Sequence, residues 1–293
     1  MRIRGKKTAR PGRPFRAKVI GSVVAISAAS LAALPVVASA TTSTPYTSGA
    51  YGYDVSWPNC STTAPSGSTT NNLIPPASSP SFAIVGITDG RPFTTSSCAG
   101  TEYSAASSLG TPSLYFNTGY AGAYAHNIVS ACTSAVGTAA GSSTTDPFPS
   151  GLKGHQLTQA EQAWEIGCSE AQYGVTHDPG GTNGAAFWWA DVETGNSWST
   201  NVSLNQYTID GMSYAMNFSL TTGSASSVGG GVYSNPGSWN KLTGSNTWAP
   251  TPAVPTWVAG GTCNASGFAG ITPTLVQNFQ WTTNGPVDGD TAC

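Results

Sequence analysis

The chain has 293 residues, 39% of them hydrophobic, 10% aromatic and only 8% charged, which is ample for a large core and excludes a disordered polyelectrolyte. Eight of the 11 basic residues (Arg2, Arg4, Lys6, Lys7, Arg10, Arg13, Arg16 and Lys18) precede Val19, leaving Arg91, Lys153 and Lys241 against all 13 acids, a net charge of −10 beyond residue 40. That balance excludes a nucleic-acid-binding surface, which relies on Lys and Arg to displace phosphate counterions.

Residues 1–40 read as a signal peptide: a basic start, an apolar run from Val19 to Val37, then Ala38-Ser39-Ala40 as a small-residue cleavage site. A secreted product, extracellular or cell-wall associated and off the membrane once the leader is removed, is expected. Residues 41–50 read as a polar, flexible lead-in, and 51–293 as one domain without a charged or Pro-rich linker dividing it. The six cysteines (60, 98, 132, 168, 263 and 293) are even in number and lack a C-x-x-C, which in an exported chain points to three disulfides. Fifteen connectivities are possible; nearest-neighbour pairing, 60–98, 132–168 and 263–293, is the expectation. His126, His155 and His177 are scattered, so no metal site and no cofactor is expected.

The first strand spans Tyr51–Trp57 and carries Asp54; a Ser/Thr/Pro-rich loop occupies 61–80. A second strand, Phe82–Thr88, ends on Asp89-Gly90, and Ser113–Asn117 reads as a third. Short helices are expected over 101–109 and 124–136. Thr158-x-x-Glu161 has the form of a capping box, followed by a stripe of Trp164, Cys168, Ala171 and Val175; Ser203-x-x-Gln206 precedes a second stripe of Ile209, Met212, Met216 and Leu220. Between these helices lies Ala185–Thr194, A-A-F-W-W-A-D-V-E-T, an apolar run closing on Asp191 and Glu193. Residues i and i+2 of a strand share a side, so both carboxyls would project together from its end. Further strands are read at Gly230–Ser234, Pro255–Ala259, Leu275–Trp281 and Val287–Thr291, with a short helix over 235–242.

Eight short apolar strands separated by crossovers in about 250 residues imply parallel pairing and fit an imperfect (β/α)8 TIM-type barrel, α/β in class and braced by disulfides. Active sites of that fold lie at the C-terminal strand ends. Asp54, Asp89, Asn117, Asp191, Glu193, Tyr233 and Asp290 all fall at or near such ends. There is no phosphate-binding Gly loop opening a helix and no G-x-S-x-G elbow. What remains is a set of acids, amides and aromatics, the equipment of glycoside hydrolysis. Trp57, Trp188, Trp189, Trp257 and Trp281 are flat surfaces suited to sugar rings, although core packing accounts for at least half of such residues.

Gly52-Tyr-Asp-Val-Ser-Trp57 resembles the opening motif of glycoside hydrolase family 25, the lysozyme-type muramidases, and Asp191-Val-Glu193 resembles that family's D-x-E on the fourth strand. The match is closer to a family-25-like group of secreted actinobacterial proteins, through Gly52–Cys60 and Trp188–Trp198, and it covers 51–293. The resemblance implies an imperfect barrel, Glu193 as general acid, Asp191 supporting it or orienting the substrate N-acetyl group, and Asp54 and Asp290 completing the cluster. Asp89, Asn117, Tyr233, Trp257 and Trp281 are the expected substrate-binding residues. The implied reaction is cleavage of a β-1,4 bond in peptidoglycan or a related polysaccharide by a monomer. Two segments depart from the family: Ile87-Thr-Asp-Gly90 stands in place of an A-T-E-G-like end to strand two, and Tyr115-Phe-Asn117 in place of Y-H-F. The competing readings are a non-catalytic glycan-binding protein on a hydrolase scaffold and a chitinase-like barrel; the latter's D-x-x-D-x-D-x-E is broken by Trp189 at an acid position.

Overall fold

The computed structural model describes residues 44–59, 80–142, 146–181, 184–217, 229–264, 266–279 and 287–293, without the side chains of 278 and 279. Cys60, Trp281, Leu220 and nearly all of the 61–80 loop lie outside the described residues, as does the leader. Eight strands close into a barrel in chain order: β1 (Tyr51–Val55), β2 (Phe82–Gly86), β3 (Ser113–Asn117), β4 (Trp188–Asp191), β5 (Gly230–Ser234), β6 (Thr256–Ala259), β7 (Leu275–Phe279) and β8 (Asp288–Ala292). Strands β1 to β7 pair in parallel. Strand β8 corrects the all-parallel expectation, because it runs antiparallel to both β7 and β1. Only residues 280–287 separate it from β7, and a parallel return needs a dozen or more.

Helix α1 (Ala99–Ala106) follows β2, α2 (Ser130–Ala140) and α3 (His155–Thr176) follow β3, α4 (Val202–Asn217) follows β4, and α5 (Pro236–Thr243) follows β5. The helix expected over 124–136 is divided into a 3-10 turn at Gly122–Asn127 and α2. Both expected capping boxes are displaced. Helix α3 starts three residues before Thr158, whose hydroxyl donates back to the Gly154 carbonyl at 3.2 Å. At α4 the Asn201 side chain, not Ser203, takes the free backbone donor, accepting from Ser203 N at 3.1 Å.

Strand alternation sorts the side chains into two packed groups. Ile84, Phe187, Trp189, Trp257, Leu275 and Ala292 form one cluster inside the barrel, while Val55, Val85, Leu114, Phe116, Trp188 and Val232 belong to the larger core that includes the helices. Glycine makes room for the inner rings: a Cβ on Gly231 would sit 2.4 Å from the Trp189 ring, and one on Gly86 2.6 Å from the Tyr115 ring. Within the lead-in read as flexible, Tyr46 is held. Its hydroxyl donates to Ser113 Oγ at 2.6 Å and accepts from Trp189 Nε1 at 2.8 Å, and its ring packs on Phe82.

Disulfides join Cys132 to Cys168, tying α2 to α3, and Cys263 to Cys293, tying the β6–β7 connection to the residue after β8. Both match the expected pairing; the third expected pair includes Cys60 and falls outside the described residues.

One buried acid creates a measurable pH dependence. Glu102 on α1 is 3% exposed and neither carboxyl oxygen has a hydrogen-bond partner; burial pushes its pKa from 4.5 up to about 7. Between those values the native protein holds a proton that the unfolded chain releases, so stability falls as pH rises through this window and levels off above it. The effect is on the order of 3 kcal/mol. Glu102→Gln is expected to raise the melting temperature at pH 8 and leave it nearly unchanged at pH 4, as read by thermal melts at the two pH values.

Candidate active site

The C-terminal ends of the strands surround an open cavity of about 380 Å³, lined by Asp54, Ser56, Pro58, Asn59, Tyr115, Asp191, Glu193, Tyr233, Trp257, Gln277 and Asp288. Strands β1 and β3 to β8 each contribute an inward residue for the same parity reason that fills the barrel below. Asp54 closes β1 beside Asp288 on β8, the two being register partners. Asp191 closes β4 between Asn117 of β3 and Tyr233 of β5. Glu193 follows two residues on and remains half-buried.

Amides hold these acids in place. Asn117 Nδ2 donates to Asp191 Oδ2, and Asn117 is itself fixed by the Thr88 hydroxyl, which donates to its Oδ1 at 2.7 Å. Gln277 Nε2 bridges Asp54 Oδ2 at 3.0 Å and Asp288 Oδ2 at 3.2 Å, while its Oε1 accepts from the Tyr233 hydroxyl at 3.1 Å. Asn235 serves two elements at once. Its Oδ1 caps α5 by accepting from Ser238 N at 2.8 Å, with Pro236 at the first helical position, and its Nδ2 donates to Glu193 Oε1 at 3.2 Å.

Among the described residues no Lys, Arg or His lines the cavity, so no cation there offsets the crowding of carboxyls. Burial, then the neighbouring Asp288, lifts Asp54 to about 7 against the hydrogen bond from Gln277. Burial and then Glu193 hold Asp191 well above the usual carboxylate range, with Asn117 opposing. Burial also raises Glu193, with the Asn235 hydrogen bond pulling the other way. Desolvated like charges at this spacing cannot all ionise together, so the site retains protons near neutral pH. Such a site can deliver a proton to a bound group while presenting a carboxylate to developing positive charge.

The structure gathers Asp54, Asp191, Glu193, Tyr233 and Trp257 around the cavity and places Asn117 behind Asp191. Two expected residues are elsewhere. Asp89 is exposed, three residues past the end of β2, and its backbone N–H is turned to Thr94 Oγ1; Thr88 is the residue of that segment that faces the site. Asp290 is 0% exposed and does not line the cavity. Because β8 is reversed, later residues run deeper into the barrel, and Asp288 rather than Asp290 reaches the mouth. Asp288, Gln277 and Asn235 were not singled out by sequence. Trp281 is outside the described residues. Among the described residues no group of three His, Cys, Asp or Glu is arranged to hold a metal ion.

Fold and site together define a TIM-type barrel protein with a carboxylate-lined cleft at its C-terminal mouth. No protein-family model and no curated protein matches the chain. Among solved structures it is similar to the family GH25 lysozyme from Aspergillus fumigatus, at 15% identity and a TM-score of 0.50 over 83% of this chain and 93% of that one. It is also similar to the bacterial lysozyme from Streptomyces coelicolor (18% identity, TM-score 0.49, 84% and 93% covered) and to the muramidase from Acremonium alcalophilum (15%, 0.49, 83% and 93%). The chain has the barrel fold of the GH25 lysozyme.

Proposed function

We propose that the protein is a secreted glycoside hydrolase that cleaves β-1,4 bonds of bacterial peptidoglycan or a related polysaccharide. The observation that carries this reading is the convergence of Asp54, Asp191, Glu193 and Asp288 on one open cavity without a cation among its lining residues. Glu193, the half-buried member, protonates the departing glycosidic oxygen. The remaining carboxylate charge faces the oxocarbenium-like carbon, to which water finally adds. Asp191, paired to Asn117, supports Glu193 or orients the substrate's N-acetyl group. The leader of residues 1–40, the domain of 51–293 and the disulfides support export. Protein lacking the leader should release reducing ends from purified peptidoglycan and solubilise it. Binding to the insoluble polymer without solubilisation would make this a glycan-binding protein instead.

Trp57 extends the same reading beyond the cavity. It is 46% exposed, next to the lining residues Ser56 and Pro58. Its indole edge rests on Gly90, where a Cβ would come within 2.6 Å of Nε1 and where φ is +68°. The ring is therefore held at the rim with surface free for a sugar face. Trp57→Ala should raise KM about 2- to 10-fold with little change in kcat, measured on soluble peptidoglycan fragments.

A further inference from the structure

The amide of Asn235 can face Glu193 in only one way. Its Oδ1 accepts from the Ser238 backbone N–H at 2.8 Å, and a backbone N–H only donates. Its two amide hydrogens are then both spent, one on Glu193 Oε1 at 3.2 Å and one on Ser238 Oγ at 3.0 Å. Turning the amide over would leave the Ser238 N–H facing another donor. Glu193 Oε1 therefore meets a donor whether the carboxyl is charged or neutral. An oxygen that accepts there is the carbonyl oxygen of the neutral acid, which leaves Oε2 to carry the proton. The backbone of this segment is secured separately. Trp198 Nε1 donates to the Glu193 carbonyl at 2.8 Å, Val192 N to the Tyr233 carbonyl at 2.9 Å, and Ser234 Oγ to the Val192 carbonyl at 2.6 Å. Asn235 thus acts on the carboxyl alone.

We propose that Asn235 is the positioning residue of the acid: its amide, locked by the cap of α5, donates to Glu193 Oε1 and confines the transferable proton to Oε2. It touches no reacting atom. The kinetic part rests on the glycosidase reading; the hydrogen bond and its effect on titration do not. The titratable groups facing Glu193 are Asp191 of β4 and Tyr233 of β5, and α5 has no acid in its first turn. Burial raises Glu193, and the donated hydrogen bond opposes it by favouring the charged form.

The test separates the cap from the donor. Serine caps helices as well as asparagine, and glycine costs only a few tenths of a kcal/mol there, yet neither reaches Glu193. Asn235→Ser and Asn235→Gly should melt close to the parent. In protein labelled with ¹³C at glutamate Cδ, the resonance that Glu193→Gln deletes should titrate about one unit higher in both variants. A midpoint that stays or falls in both would overturn the proposal. In a hydrolysis assay Asn235→Ser should lose about tenfold in kcat with KM within about twofold, and its alkaline limb should move up with the midpoint. Asn235→Asp keeps the cap but sets an acceptor against Oε1, drawing the proton to the wrong oxygen, so it should be slower still. An aspartate variant faster than the serine variant would refute the confinement to Oε2. Absence of hydrolysis by the unsubstituted protein would refute the glycosidase reading and leave the titration result standing.

Discussion

Glu193→Gln is expected to lower kcat by roughly 100- to 10,000-fold, the usual worth of a positioned general acid, while the melting temperature stays within about a degree of the parent. The substitution keeps the shape of the side chain and its oxygen, so the hydrogen bond from Asn235 Nδ2 survives. It removes only the transferable proton. The case for Glu193 over its neighbours is geometric. Asp191 is engaged by Asn117 and is buried at 8% exposure, and Asp54 is tied to Gln277. Glu193 has one amide partner and lines the cavity two residues past the end of β4. The acid limb of activity belongs to the cleft carboxylate that must stay ionised, and the alkaline limb to loss of the transferable proton. Because burial raises Glu193, the alkaline limb should lie above the range of a free carboxylic acid. Reducing-end release from peptidoglycan at several pH values, beside thermal melts of the variant, measures both. A variant as active as the parent would move the acid to another member of the cluster.

The barrel was legible because its strands are short, apolar and evenly spaced, and the inward parity of Asp54, Asp191 and Glu193 follows from strand geometry alone. The direction of β8 was not read, although the distance between Trp281 and Val287 is too short for a parallel return. Reversal of β8 brings Asp288 rather than Asp290 to the cavity. Asn235 and Gln277 were missed for a different reason. An Asn before Pro at a strand end reads as a turn or helix cap, and so it is; nothing local reveals that its free amide also reaches Glu193. Tyr46 sits in a polar segment whose composition says nothing about the aromatic cluster it joins. Each of these needed the closed barrel, which brings residues far apart in sequence within hydrogen-bond reach.

Gly211→Ala should be among the most destabilising single-methyl additions available in this chain, because α3 and α4 meet backbone to backbone. A Cβ on Gly211 would lie 2.0 Å from the Trp164 carbonyl oxygen, and one on Gly167 1.8 Å from that of Thr208. These atoms belong to helix backbones and cannot rotate away. Relief requires parting the helices, which would open the packing of Trp164 on Tyr214, rings 5.2 Å apart, and strain the region around Cys132–Cys168. Helix propensity opposes this outcome, since alanine is favoured over glycine by about 1 kcal/mol within a helix. Overpacking a tight interior costs about 1–3 kcal/mol and more when backbone must shift, so the clash wins. The net loss should be about 2 kcal/mol or greater, a fall of roughly 4–8 °C in melting temperature for a domain of this size. Gly100 in α1 and Gly137 in α2 supply the control, for a Cβ at either meets nothing within 4 Å. Alanine there should raise stability by up to about 1 kcal/mol. Melts of the four variants decide the matter: if Gly211→Ala and Gly137→Ala shift stability in the same direction, close helix approach is not what these glycines provide.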